Sequence, residues 1–147
     1  MFLLSLSNLS AQVNRNISVN ILEDDIISIS VDHQLHYEYG LAYPVTYKFS
    51  LPSASKELKA YKKYSLNQDW VEITEKTSND FFNGIEAARF DYINNNAFLS
   101  ISFGSLTDTI YLKIIDNSNN NVSINFLGIS KYYDNRQAAV TCSIDDW

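Results

Sequence analysis

The sequence is poor in cysteine, glycine and proline. It contains one cysteine, Cys142, in 147 residues, which excludes an internal disulfide. Only four glycines and two prolines are present, so Asn and Asp must supply most of the turn positions that need unusual backbone angles. No hydrophobic run is long enough to span a bilayer, so a membrane-spanning helix is not expected.

Basic residues are also scarce. Eleven Lys and Arg stand against seventeen Asp and Glu, which gives a net charge of −6 and an isoelectric point near 4.7. This acidic excess argues against nucleic acid or an anionic membrane as a partner. A hydrophobic content of 46% is typical of a folded chain rather than a disordered one, and the length suits one domain with a sizeable core.

Apolar and polar residues alternate along most of the chain. Each such segment has one apolar face and one polar face, as expected of a strand that covers a core. Polar clusters rich in Asn and Asp separate the segments and predict turns, for example the cluster of Glu23, Asp24 and Asp25. The pattern predicts an all-β fold, an antiparallel β-sandwich of the immunoglobulin-like kind, over residues 12–130. The alternating segments are 17–21, 27–31, 45–51, 99–103, 110–114 and 122–126.

Three further segments have specific predictions. Residues 56–74 are predicted to form a hairpin with its turn at 66–69, and residues 78–88 are the one place where the pattern allows a helical turn. Residues 1–11 (MFLLSLSNLSA) resemble the remnant of a signal peptide cleaved after Ala11, although an ordinary first strand is the alternative. A signal peptide would send the protein to the cell envelope or the exterior of a bacterium.

The segment VTCSIDD at residues 140–146 is strand-like, apolar on both faces and ends in two acids. Strands of this kind belong to parallel sheets buried under helices, where charged residues collect at the carboxyl rim. Residues 131–147 are therefore predicted to be a linker and the first strand of a truncated α/β barrel. A polar chain end is the alternative for Asp145 and Asp146.

The same segment resembles the first motif of the polysaccharide deacetylases (the NodB-homology, or carbohydrate esterase family 4, enzymes). In that family a strand of the form V-T-F-T-F ends in Asp-Asp, usually followed by Gly. Here Cys142 and Ile144 replace the common aromatic residues, and Trp147 stands at the Gly position. Residues 80–86 and 128–136 resemble the linker before such domains in secreted Bacteroidetes-type proteins.

The resemblance implies a function for the longer protein. Asp145 would act as general base on a metal-bound water, and Asp146 would bind the divalent metal, zinc. The family's remaining ligands, two His of a His-x-x-x-His motif, lie downstream of the Asp pair, so this chain alone is expected to be inactive. Residues 12–130 would then be the accessory domain of an enzyme that removes acetyl groups from a polysaccharide, with the downstream catalytic domain as its partner.

Exposed aromatic residues suggest an alternative, a stand-alone carbohydrate-binding, structural or adhesive module. The chain has ten Tyr and two Trp, and Tyr61, Tyr64 and Trp70 are the candidate carbohydrate-binding residues. The same residues also suit ordinary packing across strands. His33 and His36 are three residues apart, so on an extended segment they face opposite sides and do not suit a common metal.

Overall fold

Two antiparallel β-sheets make up the part of the chain that the structure describes. The computed structural model describes residues 17–31, 44–53, 55–76, 85–102 and 109–130. Within these ranges there are nine strands, one 3-10 turn at Glu23–Asp25, and no α-helix. The strands are β1 (Ile17–Ile21), β2 (Ile27–Val31), β3 (Val45–Ser50), β4 (Lys59–Lys63), β5 (Val71–Ile73), β6 (Ala87–Asp91), β7 (Asn96–Ile101), β8 (Thr109–Ile115) and β9 (Asn125–Ile129).

The strand order confirms an all-β antiparallel fold but not an immunoglobulin-like one. The first sheet has the order β1-β2-β8-β4-β5 and the second sheet the order β6-β7-β3-β9. In an immunoglobulin sandwich (sheets ABED and CFG), the second strand, B, pairs with E, and the third strand, C, pairs with F, which follows E in the chain. Here β2 pairs with β8 and β3 pairs with β9, in keeping with that rule, but β3 also pairs with β7, and β4 and β5 extend the first sheet beyond β8 to five strands. The immunoglobulin-like topology is therefore not confirmed.

One core lies between the two sheets. Alternate residues of each strand point inward, as the apolar periodicity predicted, and they bury their side chains against those of the opposite sheet. Burying one large aliphatic or aromatic side chain contributes about 1.5–3 kcal/mol, so this layer is the main source of stability. Its fully buried members include Ile27, Ile29, Tyr47, Phe49, Leu99, Ile101, Ile110, Leu112 and Ile114.

Among the described residues, Asn and Asp occupy four of the five positive-φ positions that are not glycine, as the scarcity of glycine predicted, and Glu57 occupies the fifth. Asp24 and Asp25 have φ angles of 58° and 56° in the turn between β1 and β2. Asn95 has a φ of 52° between β6 and β7, and Asn119 has a φ of 61° after β8. Asn and Asp tolerate this region better than other non-glycine residues, so these turns form with little strain.

Two aspartates cap such turns with their side chains. Asp91 Oδ1 accepts hydrogen bonds from the backbone N–H groups of Ile93 and Asn94 at 3.1 and 3.0 Å. The Asn94 side chain, which donates to the other oxygen of Asp91, is the main reason that the pKa of Asp91 lies below its ordinary value of 3.8. Asp116 is similar, since the backbone N–H of Asn120 chiefly lowers its pKa. Both turns are thus fixed by local hydrogen bonds.

Several sequence predictions can be compared with the described residues. The hairpin at 56–74 is confirmed as the β4–β5 pair. Ala87 and Ala88, at the end of the segment that allowed a helical turn, instead begin β6. The last strand runs from Asn125 to Ile129, later than the predicted segment 122–126. The predictions for residues 1–11 and 131–147 lie outside the described residues.

A β-bulge distorts β9, which lies last in the order of the second sheet. Lys48 pairs with Gly128 whereas Phe49 pairs with Phe126, so Leu127 is an extra residue on β9. Gly128 has a φ of +140°, an angle that residues other than glycine rarely adopt. A bulge of this kind increases the local twist and makes an outer strand a poorer template for pairing with another chain.

The bulge gives a testable consequence for stability. Replacing Gly128 by Ala is expected to lower the free energy of unfolding by about 1–2 kcal/mol, because an L-residue is strained at positive φ. A Cβ at this position would meet nothing within 4 Å, so no steric clash contributes. Urea denaturation measures the effect, with Leu127→Ala as the control that should change stability by about 0.5 kcal/mol or less. An unchanged midpoint for Gly128→Ala would contradict the bulged backbone.

Candidate functional site

The outward side of β4, β5 and β8 carries a set of aromatic and charged residues. Tyr61 on β4 pairs with Lys113 of β8 on one side and with Glu72 of β5 on the other. Residues directly opposite across antiparallel strands point to the same side of a sheet, so these three side chains share the face turned away from the core. We call this surface the β4 face, and its members are Lys59, Tyr61, Lys63, Trp70, Glu72 and Lys113.

Trp70 is the largest side chain of the β4 face. It stands one residue before β5 and is partly exposed. The Lys63 ammonium lies 4.5 Å from the centroid of its ring, and the Lys113 ammonium lies 4.7 Å from the same centroid. The indole face carries partial negative charge, so both cations are attracted to it, by about 0.5–1 kcal/mol each at an exposed site.

The Lys113 ammonium is shared by two rings. Besides its contact with Trp70, it lies 5.7 Å from the ring centroid of Tyr61. Within the described part of the chain, these two rings are its contacts, and no carboxylate accompanies them. The arrangement brings two partly exposed aromatic side chains and a cation into one small area.

Glu72 is the acidic member of the β4 face. Its carboxylate accepts a hydrogen bond from the Tyr61 hydroxyl at 3.4 Å and lies 4.0 Å from the Lys59 ammonium. Both members of the ion pair are exposed, with 59% and 50% of their side-chain surface in water, so the pair contributes about 0–1 kcal/mol. Lys63 donates to the backbone carbonyl of Leu66 at 3.0 Å. Glu72 therefore neutralises Lys59, and within the described ranges no carboxylate lies beside Lys113.

Tyr64, the third aromatic residue of the predicted carbohydrate site, lies elsewhere. Its side chain packs against the core, its hydroxyl accepts a hydrogen bond from Lys62 Nζ at 2.7 Å, and it donates one to the Ser102 carbonyl at 3.2 Å. The structure thus brings Tyr61 and Trp70 together and places Tyr64 in a separate polar network. Tyr61 and Tyr64 are separated because residues an odd number of positions apart on an extended chain point to opposite faces of the sheet.

That network is built around a buried lysine. Lys62 is only 7% exposed, and its ammonium contacts the Glu86 carboxylate as well as the Tyr64 hydroxyl. The other oxygen of Glu86 accepts the backbone N–H of Ser102 at 2.8 Å. Burial alone would lower the pKa of Lys62, but the hydrogen bonds to Glu86 and Tyr64 outweigh it and raise the pKa above 10.5. The network joins β4 of the first sheet to the ends of β6 and β7 in the second.

The network of Lys62, Tyr64 and Glu86 was not predicted from the sequence. A signal was present, because Lys62 falls at an inward position of β4, two residues from the buried Ala60. A charged residue at a core position of an alternating strand requires a partner of opposite charge. The identity of that partner, Glu86, depends on how the two sheets pack and is not visible in the local pattern.

A small acidic cleft opens beside β5. Its volume is about 230 Å³, and burial raises the pKa of its Glu75 carboxyl above the ordinary value. The part of the chain that the structure describes contains no group of three or more His, Cys, Asp and Glu residues that could hold a metal. The cleft is therefore not a candidate metal centre on its geometry. Its lining residues are Glu57, Leu58, Lys59, Glu72, Ile73, Glu75 and Phe90.

The predicted deacetylase residues Asp145 and Asp146 lie outside the described residues, as do His33, His36 and Cys142. Their predicted roles, including zinc binding by Asp146, stay predictions. Across residues 17–31, 44–53, 55–76, 85–102 and 109–130, no helix combines the length and the apolar character needed to cross a membrane.

Comparisons with protein-family models, with curated proteins and with solved structures yield no match to this chain. The deacetylase resemblance accordingly rests on the sequence motifs at 80–86, 128–136 and 140–146. The β4 face is the candidate binding site that lies within the described residues.

Proposed function

We propose that the sandwich is a carbohydrate-binding module and that sugar rings stack on the β4 face. The observation that carries the proposal is the proximity of Tyr61 and Trp70, whose rings both lie within 6 Å of one ammonium group. A pyranose ring presents a flat apolar side of C–H bonds, and aromatic rings on a rigid sheet offer a matching surface at little entropic cost. Hydroxyls at the sugar edge then meet the lysines and Glu72.

The proposal extends to a longer protein in which this module precedes a polysaccharide deacetylase domain. The support is the sequence motif at residues 140–146, which would form the first strand of the α/β barrel. In that setting the module would hold the secreted enzyme on its polymeric substrate, and zinc held by Asp146 and two downstream His would supply the Lewis acid and the activated water. The module by itself would bind the polymer without hydrolysing it.

Replacing Trp70 by Ala is expected to weaken polysaccharide binding at least about tenfold, since a tryptophan at the centre of a contact commonly dominates its energy. Affinity electrophoresis against soluble polysaccharides, followed by calorimetry on the best ligand, measures the loss. The matched control is Phe98→Ala, which removes an aromatic residue that also contacts two cations but lies on the outward side of the second sheet. Equal binding by Trp70→Ala and the wild type, or no binding by the wild type, would contradict the proposal.

The deacetylase part has a separate test. Reading the encoding DNA beyond the codon for Trp147 is expected to show an open frame with a His-x-x-x-His motif. The motif should fall within roughly the next hundred residues, because a domain typically contains about 50–250 residues. A stop codon directly after Trp147 would overturn the accessory role and leave a stand-alone binding or structural module.

A further inference from the structure

Positive charge collects on the β4 face although the chain as a whole is acidic. The net charge is −6, yet Lys59, Lys63 and Lys113 all point outward from β4 and β8, with Glu72 as the acidic member. Lys59 faces Glu72, and Lys63 and Lys113 lie over the Trp70 ring. A local excess of one sign on a chain of the opposite sign attracts ligands of complementary charge to that surface.

Lys113 is the residue on this face that is best placed to receive an anion. An ammonium group has three donors, and aromatic rings are only weak acceptors for them, so an oxygen can bind the ammonium in addition to the rings. Among the described residues its partners are the rings of Tyr61 and Trp70. An anionic oxygen can therefore bind Lys113 without displacing an existing carboxylate.

We propose that the ligand of the β4 face is an acidic polysaccharide whose sugar units carry carboxylates, that is, a polymer of uronic acids. This inference rests on the proposed function, because it assigns a ligand class to the same surface. A sugar stacked on Tyr61 or Trp70 places its ring within a few ångströms of Lys113, since that ammonium is 4.7 and 5.7 Å from the two ring centroids. A carboxylate on the sugar ring then reaches the ammonium as the ring stacks.

The charges of the β4 face favour a polymer of carboxylate sugars over other charged polymers. Among the described residues, neither Lys63 nor Lys113 has a carboxylate partner, so the face can accept a few carboxylates, whereas Glu72 at its border disfavours the dense charge of a polysulfate. A polymer with free amino groups would be repelled by the same lysines. Nucleic acid also offers stacking rings and anions, but the net charge of −6 opposes a long phosphate backbone.

The experiment compares one sugar backbone with and without its charge. Binding of alginate and polygalacturonate is measured by calorimetry on the whole chain, each against its fully methyl-esterified form. The variants are Lys113→Gln and Trp70→Ala, and the matched control is Lys48→Gln, which removes a lysine over Phe98 on the second sheet. Thermal melts of all variants are recorded to verify that each is folded.

At least tenfold tighter binding of one acid polymer than of its ester is expected. Lys113→Gln should remove this preference, because it should weaken binding of the acid much more than binding of the ester, and Lys48→Gln should leave the preference unchanged. Equal binding of acid and ester, both lost in Trp70→Ala, would overturn the acidic ligand but keep the carbohydrate-binding function. No binding to any polysaccharide would overturn both. Equal or tighter binding of dextran sulfate, single-stranded DNA or chitosan would overturn the carboxylate specificity.

Discussion

Replacing Phe49 by Ala is expected to destabilise the protein by about 3–5 kcal/mol, the usual cost of removing a buried phenyl ring. Phe49 is fully buried on β3, which lies between β7 and β9 in the second sheet. Its ring packs against that of Phe126 with centroids 5.7 Å apart and a tilt of 56°. Truncation opens a cavity in the layer that joins the two sheets, and the neighbouring strands can close it only in part.

The loss is large relative to the stability of a typical domain. Small proteins are stable by about 5–15 kcal/mol, so this one change would consume much of the total. It would lower the melting temperature by roughly 10–20 °C for a chain of this size. Chemical denaturation with a fitted midpoint and slope is the measurement, because it separates a change in stability from a change in the unfolded state.

Two further variants test whether the rings of Phe49 and Phe126 stabilise each other. Phe126→Ala should cost less than Phe49→Ala, because Phe126 is only partly buried at the edge of the core. The double variant should be less damaging than the sum by about 0.5–1.5 kcal/mol, the coupling of a tilted aromatic pair. A cost below about 1 kcal/mol for Phe49→Ala would mean that β3 does not lie at the centre of the core.

Strand positions could be predicted from the sequence because the apolar period is local. Ile27 and Ile29, or Ile110 and Leu112, reveal their inward direction within one short segment. β6 was missed although Ala88, Arg89 and Phe90 do alternate, because small Ala side chains give a weak apolar signal. Asn95 and Asn119 were recognisable as turn residues from the tolerance of Asn for left-handed angles.

The topology could not be predicted in the same way. β2 pairs with β8 some eighty residues along the chain, and such a pairing depends on the packing of all intervening strands rather than on any local pattern. For this reason the alternation supported a sandwich of some kind but could not specify which strands pair within each sheet.

The candidate site was predictable in part for a similar reason. Tyr61 and Trp70 could be selected as exposed aromatic residues of one hairpin, and the structure places both on the β4 face. Lys113, which lies next to both, belongs to a strand about fifty residues away, and only the β4–β8 register brings it there. The buried pair of Lys62 and Glu86 depends on contact between the two sheets and was likewise not predictable from local sequence.

Replacing Glu86 by Ala is expected to destabilise the protein by about 2 kcal/mol. The change leaves the ammonium of Lys62, only 7% exposed, without its carboxylate. Breaking a fully buried ion pair from one side costs about 3–5 kcal/mol, and a smaller value is expected here because 32% of the Glu86 side chain is already in water. Lys62→Met together with Glu86→Leu should restore most of the loss, since the apolar pair leaves no charge behind.

The exposed pair of Lys59 and Glu72 serves as the matched control. Glu72→Ala removes the same kind of partner from a lysine on the same strand, but both side chains are at least half in water, so a change of about 0.5 kcal/mol or less is expected. Urea denaturation of the two single variants and the double variant of each pair gives the coupling energy of that pair. Equal losses for Glu86→Ala and Glu72→Ala would show that Lys62 reaches water in the folded protein.

The pH dependence of the buried pair follows from the raised pKa of Lys62. A lysine whose pKa is higher in the folded than in the unfolded state contributes its full stabilisation below the unfolded value of 10.5 and loses it as the pH rises through the folded value. The difference in unfolding free energy between the wild type and Lys62→Met should therefore be constant from pH 7 to about 10 and shrink at higher pH. A difference that shrinks below pH 9 instead would mean that burial, rather than the hydrogen bonds to Glu86 and Tyr64, sets the charge of Lys62.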